Sequence, residues 1–200
     1  MSRSKNSRIK AIVSILLILA AGVFNLYVRG RHDIYGYQDL LSLVYLAICF
    51  EWLHSIQKRF LQRNLRRLMT AFAALIVLWN VLRLVKYNLT EPFGVWNRQL
   101  WYWYYVPLML MPVLMFWATL YCGKSDMSAL PPKWRLVAVP YLLVMLGILT
   151  NDLHQQAFRL EPRVDSWNGR YSYGPLYFIA CALILLAVLA VFLVAFRICV

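Results

Sequence analysis

The sequence predicts an all-α integral membrane protein, a six-helix transmembrane bundle with both termini on the cytoplasmic side. Three observations lead there. The 200 residues are 62% hydrophobic and 14% charged, against about 45–50% and about 25% in an ordinary soluble domain. Six apolar runs are long enough to cross ~30 Å of hydrocarbon as helices of about 20 residues. The formal charge of +13 collects in the gaps between those runs, where the positive-inside rule puts it. The basic balance is therefore a topology signal, and nucleic acid is not expected as a partner.

The first run, 11 to 28, follows the basic stretch MSRSKNSRIK. It reads as an uncleaved anchor. A signal peptide cut near Ala20-Ala21-Gly22 is the alternative, set aside because the apolar run continues to Val28. Residues 1–37 then form an N-terminal basic segment with its own helix, ahead of a five-helix domain at 38–200. The further spans are expected at 38–56, 68–87, 99–121, 136–153 and 174–196. All should be helices, because hydrocarbon cannot satisfy an exposed backbone.

Lys and Arg in the gaps assign the sides. One face collects Arg3, Lys5, Arg8 and Lys10, then Lys58, Arg59, Arg63, Arg66 and Arg67, then Lys124, Lys133 and Arg135, and finally Arg197. That face is expected to be cytoplasmic. The stretch from His154 to Tyr173 is expected as a single outer loop. Cys49, Cys122, Cys181 and Cys199 fall within or at the ends of apolar runs with no C-x-x-C spacing, so neither a disulfide framework nor a metal site is expected.

Residues 101–105 read WYWYY. Such rings favour the membrane–water boundary, yet consecutive helical residues lie ~100° apart, so some must face the bundle. Trp101 and Tyr105, four residues apart, share one face. Pro107 removes a hydrogen bond to the carbonyl of Trp103 and is expected to kink the helix; Pro112 is expected to do the same at Leu108.

Ionisable groups inside a bilayer cost roughly 2.5 to 3.5 kcal/mol each on insertion scales, which makes each a functional candidate. Glu51 and His54 share a helical face and read as a hydrogen-bonded pair, since the further carboxylates of a di-iron site are missing. Asn80, Arg83 and Lys86 recur every three residues at the outer end of the third span. Snorkelling accounts for the cations; pairing with Asp152 or Glu161, or receiving an anionic ligand, are the alternatives. Thr150, Asn151, Asp152 and His154 close the fifth span, and Tyr171 and Tyr173 precede the turn Gly174-Pro175 that starts the sixth. With Tyr105 these groups are expected to converge in an outer vestibule.

Three short patterns carry a family resemblance. Tyr105, Pro112, Tyr121 and Gly123 stand at the intervals of a Tyr-Pro-Tyr-x-Gly span. The run Thr150, Asn151, Asp152, Leu153, His154 resembles a Thr-Asn-Pro-x-His element, with Asp in place of Pro. Tyr173, Gly174 and Pro175 resemble a Tyr-Gly-Pro helix start. Together, over about residues 40–196, they resemble the seven-transmembrane N-terminal sensor region of bacterial histidine kinases. The resemblance implies a sensor of the bacterial cytoplasmic membrane, with the first span added in front and two family helices absent. No phosphoacceptor helix or ATP-binding lobe is recognisable, and the end in VFLVAFRICV suggests a truncated sensor.

The resulting expectation is a non-enzymatic receptor without cofactor. Trp101, Tyr105, Asn151, Asp152, His154, Tyr171, Tyr173 and Arg83 are its candidate ligand contacts, and the ligand a small extracytoplasmic molecule or peptide. Its partners would be the lipid bilayer and a cytoplasmic signalling module or a second copy. A small transporter or channel is the runner-up, although repeated halves and polar midplane groups are missing. An intramembrane enzyme would have to use Asp152 with His154, because H-E-x-x-H and G-x-S-x-G are both absent. A membrane scaffold is the remaining class.

Overall fold

In a computed structural model of the chain, the described residues are 37–59, 62–90, 94–122, 130–160 and 171–199. The chain divides into two compact units, Met1–His54 and Ser55–Val200. The expected first span, 11 to 28, lies outside the described residues.

Helix α1 runs over Tyr37–Arg59 and covers the second expected span. Glu51 and His54 are both exposed on it, and among the described residues no hydrogen bond joins them, contrary to the sequence expectation. Helix α2, Arg63–Asn88, starts one turn before the expected boundary and takes three arginines into its first turns. Then come α3, Val95–Trp103, and α4, Tyr105–Tyr121. A one-turn helix α5, Pro132–Arg135, precedes α6, Ala138–Leu149, and α7, Asn151–His154. Two strands follow, β1 at Phe158–Leu160 and β2 at Tyr171–Tyr173. The last helix, α8, spans Pro175–Cys199.

Among the described residues four segments are long and apolar enough to cross a membrane, Arg63–Asn88, Val95–Tyr121, Pro132–Leu149 and Pro175–Ile198, and α1 is not one of them. Helix α4 packs against α2, α6 and α8, and α6 against α8. The core between them is made of Met109 and Val113 from α4, Tyr141, Val144 and Ile148 from α6, and Ala180 and Ala187 from α8. Spacings of three, four and seven put each set on one helical face. The two alanines let α8 approach closely, as small residues do between membrane helices. The Tyr141 hydroxyl donates to the Leu183 carbonyl at 2.7 Å, tying α6 to α8.

Outside that core, Leu185, Leu189, Phe192, Leu193 and Phe196 of α8 are exposed. Water would not tolerate such a surface; hydrocarbon does, which fits a mostly helical, membrane-embedded chain.

The fourth span is interrupted at Tyr104. Pro107 has no N–H to give the Trp103 carbonyl; the Tyr104 N–H turns to Trp101 at 3.2 Å, and the Leu108 N–H reaches Tyr104 at a long 3.4 Å. The expected break at Pro107 is thus present. Helix α4 continues through Pro112, which, like Pro107, has no N–H for the carbonyl four residues earlier.

Candidate functional site

The stretch expected as one loop between the fifth and sixth spans contains a hairpin. Its antiparallel strands pair Phe158 with Tyr173, Arg159 with Ser172 and Leu160 with Tyr171. Strands of three residues are too short to show a period-2 pattern against polar neighbours.

One side chain seats this hairpin. Asn151, fully buried, accepts the N–H groups of Ala157 at 2.9 Å and Phe158 at 3.0 Å through Oδ1. Its Nδ2 donates to the Phe158 carbonyl at 2.9 Å and to the Tyr102 hydroxyl at 3.2 Å. A side-chain amide offers two acceptor sites and two donor hydrogens, and all four are used. Local backbone brings this about: Thr150 caps α6, α7 makes one turn, and Gln155 at φ 51° ends it in the left-handed region. The chain thereby folds back over Asn151.

The second anchor is Gly174. Its N–H donates to the Ala157 carbonyl at 2.8 Å, and the next N–H, of Leu176, donates to the Gln156 carbonyl at 3.1 Å. A Cβ on Gly174 would stand 2.1 Å from the Gln156 carbonyl oxygen and 2.7 Å from its carbon. Only glycine admits that approach.

Held this way, Phe158 is fully buried within a cage of aromatic rings. Ring centroids lie 4.4 Å away for Trp101, 5.6 Å for Tyr105, 5.4 Å for Tyr171 and 5.8 Å for Tyr177, with Tyr102 stacked at 6.2 Å. Tyr173, half exposed, stacks on Tyr177 at 4.2 Å. Burial, together with the hydrogen bond it makes to neighbouring Tyr173, pushes the Tyr171 phenol up to about 12, so it stays neutral and able to donate at physiological pH.

Beside the cage, Asp152 collects three donors from α3: Arg98 at 3.0 Å and Gln99 at 2.7 Å on Oδ2, and Tyr102 at 2.8 Å on Oδ1. Residues 98, 99 and 102 share a helical face. Tyr102, donating to Asp152 and accepting from Asn151, joins the two networks. Asp152→Ala is expected to cost about 2 kcal/mol, read as a lower thermal midpoint in detergent. Asp152→Asn should be milder, since its oxygen still accepts from Tyr102.

The predicted site residues therefore separate. Trp101, Tyr105, Tyr171 and Tyr173 gather around Phe158, Asn151 holds the hairpin, and Asp152 secures α3. Exposed His154 accepts the Gln156 N–H on Nδ1 at 3.0 Å, which leaves the ring proton on Nε2, 2.9 Å from the Gly147 carbonyl. Among the described residues no hydrogen bond joins it to Asp152. Half-buried Arg83 lies on α2, outside both networks. The alternative of Asp152 pairing with Arg83 or Lys86 is corrected: Arg98, one turn before the aromatic run, takes the carboxylate.

Lys86 is buried instead, its Nζ 5.2 Å from the Tyr87 ring centroid and 5.5 Å from that of Tyr104. Its carbonyl accepts from Thr90 and from the buried Asn97. The Tyr104 hydroxyl is buried with no hydrogen-bond partner among the described residues. Those residues also contain no group of three or more His, Cys, Asp or Glu able to hold a metal ion. Cys49, Cys122 and Cys181 are free thiols.

Phe158, Tyr102, Arg98 and Gln99 were not among the sequence candidates. The spacing of 98, 99 and 102 carries a signal for the last three; Phe158 is the one aromatic residue of QQAFRLEPR, a stretch with no helical or alternating pattern, and carries almost none.

Apolar helices exposed to lipid, closed at one end by an aromatic-filled hairpin, define a polytopic helical membrane domain. Residues 39–199 match the family described as the N-terminal 7TM region of histidine kinase, and the chain belongs to that family. Neither the curated proteins nor the solved structures compared with it give a match.

Proposed function

We propose that this chain is the ligand-sensing membrane domain of a histidine-kinase system, with the hairpin end outside the cell and both termini in the cytoplasm of a bacterium. Family membership supports the sensor role. The basic gaps at 57–67 and 124–135 support the orientation. A tag inserted at 57–67 should stay protected from membrane-impermeant reagents in intact cells; labelling there would invert the topology.

The observation that carries the reading is Phe158 itself. An aromatic ring of the chain fills a cage whose walls come from α3, α4, β2 and α8, and it rides on a hairpin attached to the helices at two points, Asn151 and Gly174. A small ring-bearing ligand or peptide side chain of similar shape would compete with Phe158 for the cage. The hairpin would then leave its seat, and the Asn151–Tyr102–Asp152 network would carry the change to α3. A ligand drives such a change only by its differential affinity for the seated and unseated states.

The test joins the chain to a histidine-kinase catalytic core and measures autophosphorylation in vesicles. Phe158→Ala, which empties the cage, is expected to shift basal autophosphorylation several-fold, and Phe158→Tyr much less. An output equal to wild type in a folded Phe158→Ala protein would refute this assignment.

A further inference from the structure

The far end of the bundle carries a second concavity. A cleft of about 290 Å³ opens between the start of α2, the end of α4 and the α5 turn, with Asn64, Arg67, Trp117, Tyr121 and Arg135 in its wall and Leu68 and Leu130 at its apolar side. Two guanidinium groups from elements far apart in sequence thus line one cleft, and no carboxylate lines it. Among the described residues neither Arg67 nor Arg135 forms an ion pair.

Charge is concentrated there against local preference. Arg63, Arg66 and Arg67 occupy the first turns of α2, which hold no acidic residue. That helix end already bears the positive pole of the dipole, so cations on it are unfavourable. An anion in the cleft relieves the repulsion. Trp117 and Tyr121 show the depth, since amphipathic rings settle at headgroup level; Trp117 is fixed by donating Nε1–H to the Trp134 carbonyl at 2.9 Å. Lys133, its Nζ 5.7 Å from the Trp134 ring centroid, adds a further cation on the same turn.

We propose that this cleft binds the phosphate headgroup of an anionic phospholipid. Its volume is at the small end of ligand pockets, about 300–1,000 Å³, enough for a headgroup and not for acyl chains. Those chains would lie along the apolar flank next to it, where Leu136 and Val139, just after Arg135, are exposed. Basic pockets between membrane helices at the cytoplasmic side are suited to such headgroups. A planar guanidinium pair favours phosphate by bidentate donation. Assignment to the inner leaflet rests on the orientation given under Proposed function; the site itself does not.

The full chain, reconstituted in phosphatidylcholine vesicles containing a minor fraction of phosphatidylglycerol, is re-extracted in mild detergent and its retained lipid quantified. Wild type is expected to enrich phosphatidylglycerol, and R67Q/R135Q to lose roughly twenty-five-fold in that preference, about five-fold per arginine. R63Q/R66Q removes an equal amount of charge, both from the start of α2, without touching the cleft wall and should retain it. Equal enrichment by both double variants, or no enrichment by wild type, overturns the proposal. Full displacement of the lipid by millimolar inorganic phosphate overturns the lipid assignment in favour of a soluble anion. If R67Q/R135Q fails to fold, the R67K/R135K protein, which keeps charge but not the bidentate fork, must show reduced enrichment; unchanged enrichment counts against the site. No kinase output enters this measurement, so failure of the sensor reading would leave its result intact.

Discussion

Gly174→Ala is expected to unseat the hairpin and to cost about 3 kcal/mol or more. The added methyl would meet backbone, the Gln156 carbonyl at 2.1 Å, and backbone cannot rotate away as a flexible side chain can. Relief requires β1 to move off α8, which breaks the Gly174-to-Ala157 and Leu176-to-Gln156 hydrogen bonds and withdraws Phe158 from its cage. Thermal unfolding in detergent should show a large fall in midpoint, and amide exchange at residue 174 and at Leu176, the two donors, should accelerate. Wild-type values for both would mean that the close approach is absent in the native protein.

Asn151→Ala should be about as damaging, by a different route. The substitution strands the Ala157 and Phe158 N–H groups and the Phe158 carbonyl, and it removes one of the Tyr102 partners, all in a buried setting. An unsatisfied buried group costs about 1–3 kcal/mol; partial access of water to a loosened hairpin brings the total to roughly 3–5 kcal/mol. Asn151→Asp keeps the two acceptor contacts but loses both donors and buries a charge, so it should not rescue. Combined with Gly174→Ala, the loss should fall short of the sum, because both changes release the same element. An additive double variant would show that the two anchors hold separate structures.

The bundle was legible because membrane helices are written in long apolar runs. The spans at 68–87, 99–121, 136–153 and 174–196 each correspond to a helical segment, offset by a few residues where polar turns remain helical, as at Arg63 and Val95. Tyr104 was legible through Pro107, since a missing N–H is a local property. Pro112 lacks an N–H in the same way, yet helix α4 continues through it, because whether a helix is broken at a proline depends on the neighbours supporting it. At the site, Trp101, Tyr105, Tyr171 and Tyr173 were placed together by reasoning from span ends. What occupies the space between them was hidden: Phe158 reaches it through an Asn151 clamp and a glycine contact that depend on two distant chain segments meeting. The face bearing Arg98, Gln99 and Tyr102 could be read from its spacing, but an unbroken aromatic run points in every direction, and burial alone decides which side matters.

The missing rungs around Tyr104 leave a knee in the fourth span. Above it a short rod is fastened to the hairpin; below it a longer one is packed among its neighbours. On the sensor reading proposed above, a tug from the clasp would be absorbed at the knee as a bend, where an unbroken rod would relay it as a rigid shift. A signal heading toward the opposite membrane face would then pass sideways, through packed side chains such as Ile148 and Val144; stiffening or softening those contacts would tune how far it reaches.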